Sequence, residues 1–373
     1  MISLPASSQL KIDKLSSIFN DTTNSYKFYW FLAILDIVKD TTSNEIEIQS
    51  IYKEMFNQVW YPLNFFKLSF GINDSFKTIE NLITDKENSF EIDNRYNSPP
   101  ILEQIKNKLD DKSLKIINNK IQSIARYVPY RFLRPFFENM KTYKDSDVNR
   151  KIIASANKKS KTNPFDCPYF FIENKVVINY CWFHYFKKNY LILKSYTSFY
   201  LIKFLQKNNP SVIGICDKLE KPTKRNLFKY KVCWDYFLNK NKYWKCIYSK
   251  EYIPANFSLD HYIPWSYNTT DVVWNLIPTL KNVNSSKSNC LPANRYIEDF
   301  TNAQFDLFHL LYNDDEEKFN TILQEYALLF RISIEDINLL DKRKFTSRLH
   351  EEIEPMLQTA KHLGHINNWV YKK

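Results

Sequence analysis

Apolar and polar positions change period several times along the chain. Residues 26–38, YKFYWFLAILDIV, are apolar nearly all round, which predicts a central helix buried on every side and capped at Asn24-Ser25. Residues 45–60 predict a second helix, ended by Pro62. After Pro99-Pro100, Leu102, Ile105 and Leu109, then Ile116, Ile117, Ile121 and Ile124, recur at helical spacing and predict a third helical stretch. Residues 141–165 break the pattern. They are polar, cluster Lys158, Lys159 and Lys161, and read as a linker or flexible loop, with a phosphate-contacting arm as the alternative.

Beyond that point the period shortens. Residues 169–172 and 176–178 flank a turn at 173–175 and predict a hairpin. A long aromatic helix is expected over 180–206, closed by Asn208-Asn209-Pro210, and another over 226–238. Helices at 294–311, 315–330, 334–340 and 345–363 complete the chain. The pattern predicts four parts: a helical scaffold or recognition region (1–145), a linker, hairpin and aromatic-basic helices (146–240), a small mixed module (241–292) and a helical C-terminal region (293–373).

The module differs in kind. Residues 257–259 alternate and predict a half-buried strand running into Asp260-His261. Residues 266–270 carry turn residues. Residues 272–277 are a second run of strand length, stopped by Pro278. Thr279 is a plausible N-cap for a short helix over about 280–288. Asn275 follows His261 after thirteen intervening residues, Asn284 follows Asn275 after eight, and Lys287 follows after two more. With only six His in the chain, the Asp-His pair stands out from its composition.

This order of strand, long loop, strand and helix, carrying DH, WNL and NSSK, resembles the HNH nuclease family and its ββα-metal unit over roughly residues 246–292. The helical pattern of the rest of the chain, joined to the module that the resemblance implies, predicts a mainly α protein with an embedded ββα-metal module, α+β overall. The resemblance also implies roles. His261 would be the general base, Asp260 and Asn284 would hold one divalent cation, Asn275 would fix the loop that positions His261, and Lys287 would contact a phosphate. A carboxylate and an amide oxygen are hard donors that suit Mg2+ or Mn2+. A cation so held offsets charge developing on a phosphodiester, and a neutral imidazole accepts a proton near neutral pH. The sequence departs from the family where many members carry two Cys-x-x-Cys pairs. Cys246 is present, but Ser249, Leu280 and Val283 stand at the other positions, so no structural zinc is expected. Packing of Trp244, Ile247, Tyr252, Trp265, Trp274 and Leu276 is expected to replace it.

Composition narrows the partner. The 373 residues suffice for about two or three domains. The net charge of +11 fits a polyanion, and Lys224, Arg225, Lys242 and Lys245 lie among aromatics just before the module, where they are candidate nucleic-acid contacts. DNA is the expected substrate, with RNA an alternative. Three glycines leave no Gly-rich phosphate loop. Six unpaired cysteines and the lack of a long apolar run fit a cytoplasmic protein off the membrane. Two other functions compete with the enzyme reading: a non-cutting nucleic-acid-binding subunit, and an effector active only with a partner or signal received through residues 1–145. The resemblance alone implies a setting in restriction, phage defence or mobile elements.

Overall fold

The computed structural model describes residues 3–85, 92–95, 97–137, 145–221, 224–314 and 317–372. The protein is 61% helical, with small antiparallel sheets. It divides into two compact units, Met1–Pro210 with Ile215–Pro222, and Ser211–Gly214 with Thr223–Lys373. The division thus falls inside the segment 146–240, because the hairpin and its preceding helix pack into the first unit.

The first unit is built on the helix Tyr26–Asp40, buried on nearly every face as its sequence predicts. Ser25 holds the N-cap position, but its hydroxyl donates to Asp74 Oδ2 at 2.5 Å instead of capping the helix. The region expected as one helix over 45–60 is two elements. Glu45–Glu47 forms strand β1, and the helix Ile48–Trp60 follows, running on through Pro62 in a wider turn over Tyr61–Phe65. Strands β2 (Tyr169–Ile172) and β3 (Lys175–Ile178) form the expected hairpin. The turn is tighter than expected, since Lys175 already pairs with Ile172 and Glu173 takes the left-handed conformation at φ 49°. The sheet order is β1-β3-β2, so β1 pairs with a strand far along the chain.

Two expectations in this unit are corrected. The segment read as a linker or flexible loop contains the helix Asp145–Thr162; residues 138–144 lie outside the described residues. Val148, Ile152 and Ala156 recur every four residues and are buried, and Asn157 exchanges two hydrogen bonds with the Phe171 backbone at 2.9 and 3.1 Å. The charged residues that suggested a loop are its outer face. The long helix over 180–206 is two, Tyr180–Lys188 and Tyr190–Asn208, separated at Asn189.

The second unit wraps helices around a ββα module. Strand β4 (Ser258–His261) pairs antiparallel with β5 (Leu276–Thr279), and the helix Lys281–Lys287 follows. Here too the second strand starts later than expected. Residues Val273–Asn275 make a tight turn, and Pro278 sits inside β5 opposite Leu259. A two-stranded sheet consists of edges, so a missing N–H is tolerated there. Thr279 is therefore a strand residue, and Leu280 takes the N-cap position.

The helices Phe228–Lys240, Ile297–Asn313, Asn320–Phe330 and Lys342–His362 share one apolar core with the module. Tyr262 stacks on Phe300 with ring centres 3.9 Å apart and planes 16° from parallel. Gln304, fully buried, donates to the Leu276 carbonyl at 2.8 Å and accepts from the Tyr326 hydroxyl at 2.5 Å. Glu325 accepts from the Val273 amide at 2.6 Å. C-terminal helices thus satisfy polar groups of the module that would otherwise be buried alone. No described helix is long and apolar enough to cross a membrane.

Candidate active site

The module begins with a tight turn. The Cys246 amide donates to the Glu251 carbonyl at 2.8 Å, the Lys250 amide returns to the Cys246 carbonyl at 2.9 Å, and Lys250 is left-handed at φ 61°. Cys246 is buried against Thr279, Sγ to Oγ1 at 3.1 Å, and Val283 is fully buried. The donor set for a four-ligand zinc site is missing at these positions, and apolar packing occupies the space. Ile247, Trp274 and Leu276 are buried here. Tyr252 is not part of this packing: it is 58% exposed.

Antiparallel pairing places Asp260 opposite Ile277 and His261 opposite Leu276. The chain leaves β4 into the tyrosine-aromatic core at Tyr262, and Asn275 clamps this exit. Its side chain accepts from the Ile263 amide at 2.8 Å and donates to the Ile263 carbonyl at 2.9 Å, while its own carbonyl accepts from the Tyr262 amide at 2.8 Å. Asn275 is 1% exposed, so these bonds are made in a nearly dry setting.

His261 is engaged at both ring nitrogens. Nε2 lies 2.8 Å from Asp271 Oδ1, and Nδ1 lies 3.4 Å from Arg225 Nη1. A guanidinium donates only, so Nδ1 is the accepting nitrogen and Nε2 carries the proton donated to Asp271. Burial lowers the imidazole pKa below its ordinary value. The Asp271 hydrogen bond pulls it back up, and the Arg225 charge lowers it again. The ring is therefore neutral near pH 7, with its lone pair at Nδ1. Arg225 also lies over the Trp265 ring, 5.0 Å from its centre, which holds the guanidinium at this edge.

Asp260 is 2% exposed. Its Oδ2 accepts from the buried Tyr248 hydroxyl at 2.7 Å, and its Oδ1 accepts from Lys287 Nζ at 3.1 Å. Burial, with the Asp260 charge adding to it, raises the Tyr248 pKa well above the phenol range, so Tyr248 stays a donor. Lys287, expected at a phosphate, is instead fully buried and also donates to the His261 carbonyl at 2.6 Å. It lies one helical turn after Val283, on the inward face, and ties the helix to the Asp-His pair.

Asn284 is half-buried on the same helix. Its Nδ2 donates to Ser258 Oγ at 2.6 Å and to the Leu259 carbonyl at 3.3 Å, which fixes the amide and leaves Oδ1 without a hydrogen bond among the described residues. No cluster of three or more His, Cys, Asp or Glu side chains suited to a metal occurs among the described residues. A cation here would rest on one carboxylate and one amide oxygen, both hard donors, and would have to add to a carboxylate that is 2% exposed and already accepts from Tyr248 and Lys287.

Of the expected nucleic-acid contacts, Lys224, Arg225, Lys242 and Lys245 are all exposed, and Arg225 also reaches His261. Lys245 Nζ lies 5.0 Å from the Tyr252 ring centre, and Tyr252 meets Tyr243, 84% exposed, edge to face. Asp271 and Tyr248 had no signal in the motif spacing. Asp271 follows the loop, where residues Trp265–Asn268 make one helical turn ended by left-handed Thr269 at φ 60°, and the sequence gives no register for such a loop.

Comparison of the chain with curated proteins and with solved structures gave no match. Residues 246–293, which contain the Asp260-His261 strand, the Asn275 clamp and the Asn284 helix, match the model of the HNH endonuclease family.

Proposed function

We propose that this protein is a divalent-metal-dependent nuclease that hydrolyses phosphodiester bonds in DNA, with His261 as general base. The observation that carries this reading is the state of that imidazole: proton on Nε2 against Asp271, lone pair on Nδ1, in a segment that matches a nuclease family. His261 Nδ1 takes a proton from the attacking water, the water oxygen bonds to phosphorus, and the 3′ oxygen leaves. Asp271 keeps the ring in this tautomer and stabilises the imidazolium that forms. In this mechanism the Arg225 guanidinium moves from Nδ1 to a phosphate oxygen, clearing Nδ1 for the water. Asp260 and Asn284 Oδ1 would hold Mg2+ or Mn2+; when bound, such a cation offsets the charge on the non-bridging and leaving oxygens. Tyr248 and Lys287 fix the Asp260 carboxylate.

The net charge of +11 and the exposed Lys242, Lys245, Tyr243 and Tyr252 support a nucleic-acid strand as substrate, since cationic and stacking side chains there meet phosphates and bases. A role in restriction or phage defence is proposed from the family resemblance alone. The direct test is nicking of supercoiled plasmid with Mg2+ or Mn2+ and with EDTA: cation-dependent nicking supports the reading, and its absence at every cation tested opposes it.

The Arg225 contact favours a second reading, a nuclease held silent until a partner or signal moves the guanidinium. In that case the parent chain is inactive alone and Arg225→Ala cleaves without the partner.

A further inference from the structure

The first unit carries an open pocket of about 250 Å3 that the nuclease reading does not use. Leu32, Tyr61, Pro100, Leu201 and Leu219 give it apolar walls. Its polar side comes from Asp36 on the helix Tyr26–Asp40 and from Glu54 and Gln58 on the helix Ile48–Trp60.

The hydrogen bonds here are lopsided. Gln58 Nε2 donates to Asp36 Oδ2 at 2.8 Å and to Glu54 Oε1 at 3.3 Å. Two carboxylates thus fix the amide, and Oε1 is left buried with no partner among the described residues. Tyr29 lines the same cavity, is 1% exposed, and its hydroxyl likewise has no partner among them. Asp36 is satisfied: its Oδ1 accepts from the Tyr190 hydroxyl at 2.5 Å and pairs with Lys194 at 3.6 Å. Lys194 is itself shared with Glu220 at 3.1 Å. Glu54 has no ion pair among the described residues, and its other bond is a long one from Asn57 at 3.5 Å. Burial raises its carboxyl pKa, with the Asn57 and Gln58 hydrogen bonds and the Lys194 charge pulling it back down.

Lys194 and Lys221 also line the cavity, but Lys194 is held by Asp36 and Glu220 and Lys221 donates to the Ser98 carbonyl, which leaves Glu54 as the carboxylate there with no ion pair among the described residues. Buried polar atoms of this kind are rare without a partner and cost stability. A primary ammonium supplies several N–H donors and no acceptor, and it would give Glu54 a direct ion pair. We propose that this cavity is a binding site for a small primary amine with an aromatic or other ring body, its ammonium set against Glu54 and Gln58 Oε1 and its ring against Leu32, Tyr61 and Leu201. The shape and lining match general ligand sites, apolar with a few placed polar groups. Nothing in this assignment depends on phosphodiester cleavage.

The test is calorimetric titration of the full chain with 2-phenylethylamine, 2-phenylethanol and 3-phenylpropionate, followed by the same amine on Glu54→Gln. The expected result is saturable binding of the amine, at least tenfold weaker binding of the alcohol, no binding of the acid, and at least a tenfold loss on Glu54→Gln. Absence of saturable amine binding, or equal binding of the alcohol or the acid, overturns the proposal. The ligand series on the parent chain stands even if the variant fails to fold; if it folds with the parent circular dichroism and keeps full amine affinity, the proposal also fails.

Discussion

His261 Nε2 and Asp271 Oδ1 lie 2.8 Å apart, joining the end of a strand to the far side of the loop that follows it. This contact decides which ring nitrogen carries the proton, and Arg225 on the other side decides that Nδ1 accepts.

The pair gives a pH signature. Burial holds the folded-state pKa of His261 below the ordinary 6.5. An imidazole that resists protonation when folded contributes full stability above the unfolded value, and that contribution is lost as pH falls from 6.5 towards the folded pKa. The acid limb of cleavage should therefore have its midpoint below 6.5. Asp271→Asn removes a charge that raises the pKa and should move the limb lower, with a plateau rate down about 100- to 10,000-fold. Arg225→Gln removes a charge that lowers it and should move the limb higher. Rate profiles of the three chains check both directions.

Lys287 and Asp260 form a buried ion pair at 3.1 Å, with side chains 0% and 3% exposed. Lys287→Ala leaves the carboxylate without its partner and should cost about 3–5 kcal/mol of folding stability. Chemical denaturation measures this. A variant of unchanged stability but weakened DNA binding would return Lys287 to the phosphate-contact role expected from sequence.

Much of the site was legible because its residues keep fixed spacing along the chain. The ββα order, the Asp260-His261 pair and the Asn275 and Asn284 offsets could all be read before any coordinates. Burial was harder to read. Lys287 looked like a surface cation, although its position four residues after buried Val283 places it on the inner helix face. The same four-residue recurrence of Val148, Ile152 and Ala156 marks the helix Asp145–Thr162, hidden by the surrounding charge. Glu45–Glu47 could not be read as a strand, because among the described residues it pairs with β3, some 130 residues away. Asp271 was invisible for a related reason: a loop side chain meets His261 through a fold that no local period encodes.

Helices share one apolar core with the module, so a chelator should separate stability from activity. EDTA should abolish cleavage and leave the melting temperature unchanged. Gln304→Leu should do the reverse of the chelator, since it strands the Leu276 carbonyl and the Tyr326 hydroxyl in the core, at about 1–3 kcal/mol. Differential scanning calorimetry with and without chelator reads both.

Lys242 and Lys245 are exposed, and Lys245 lies beside Tyr252. Lys242→Ala and Lys245→Ala should each weaken DNA binding alike across sequences and reduce the slope of log affinity against log salt by about one. Fluorescence anisotropy over a salt series measures that slope.

The most direct measurement is plasmid cleavage by His261→Ala under the cation conditions that activate the parent, with folding followed by circular dichroism and DNA binding by anisotropy. A general base at this position predicts a rate loss of about 100- to 10,000-fold with fold and binding retained. Cleavage by a folded His261→Ala at the parent rate would contradict it.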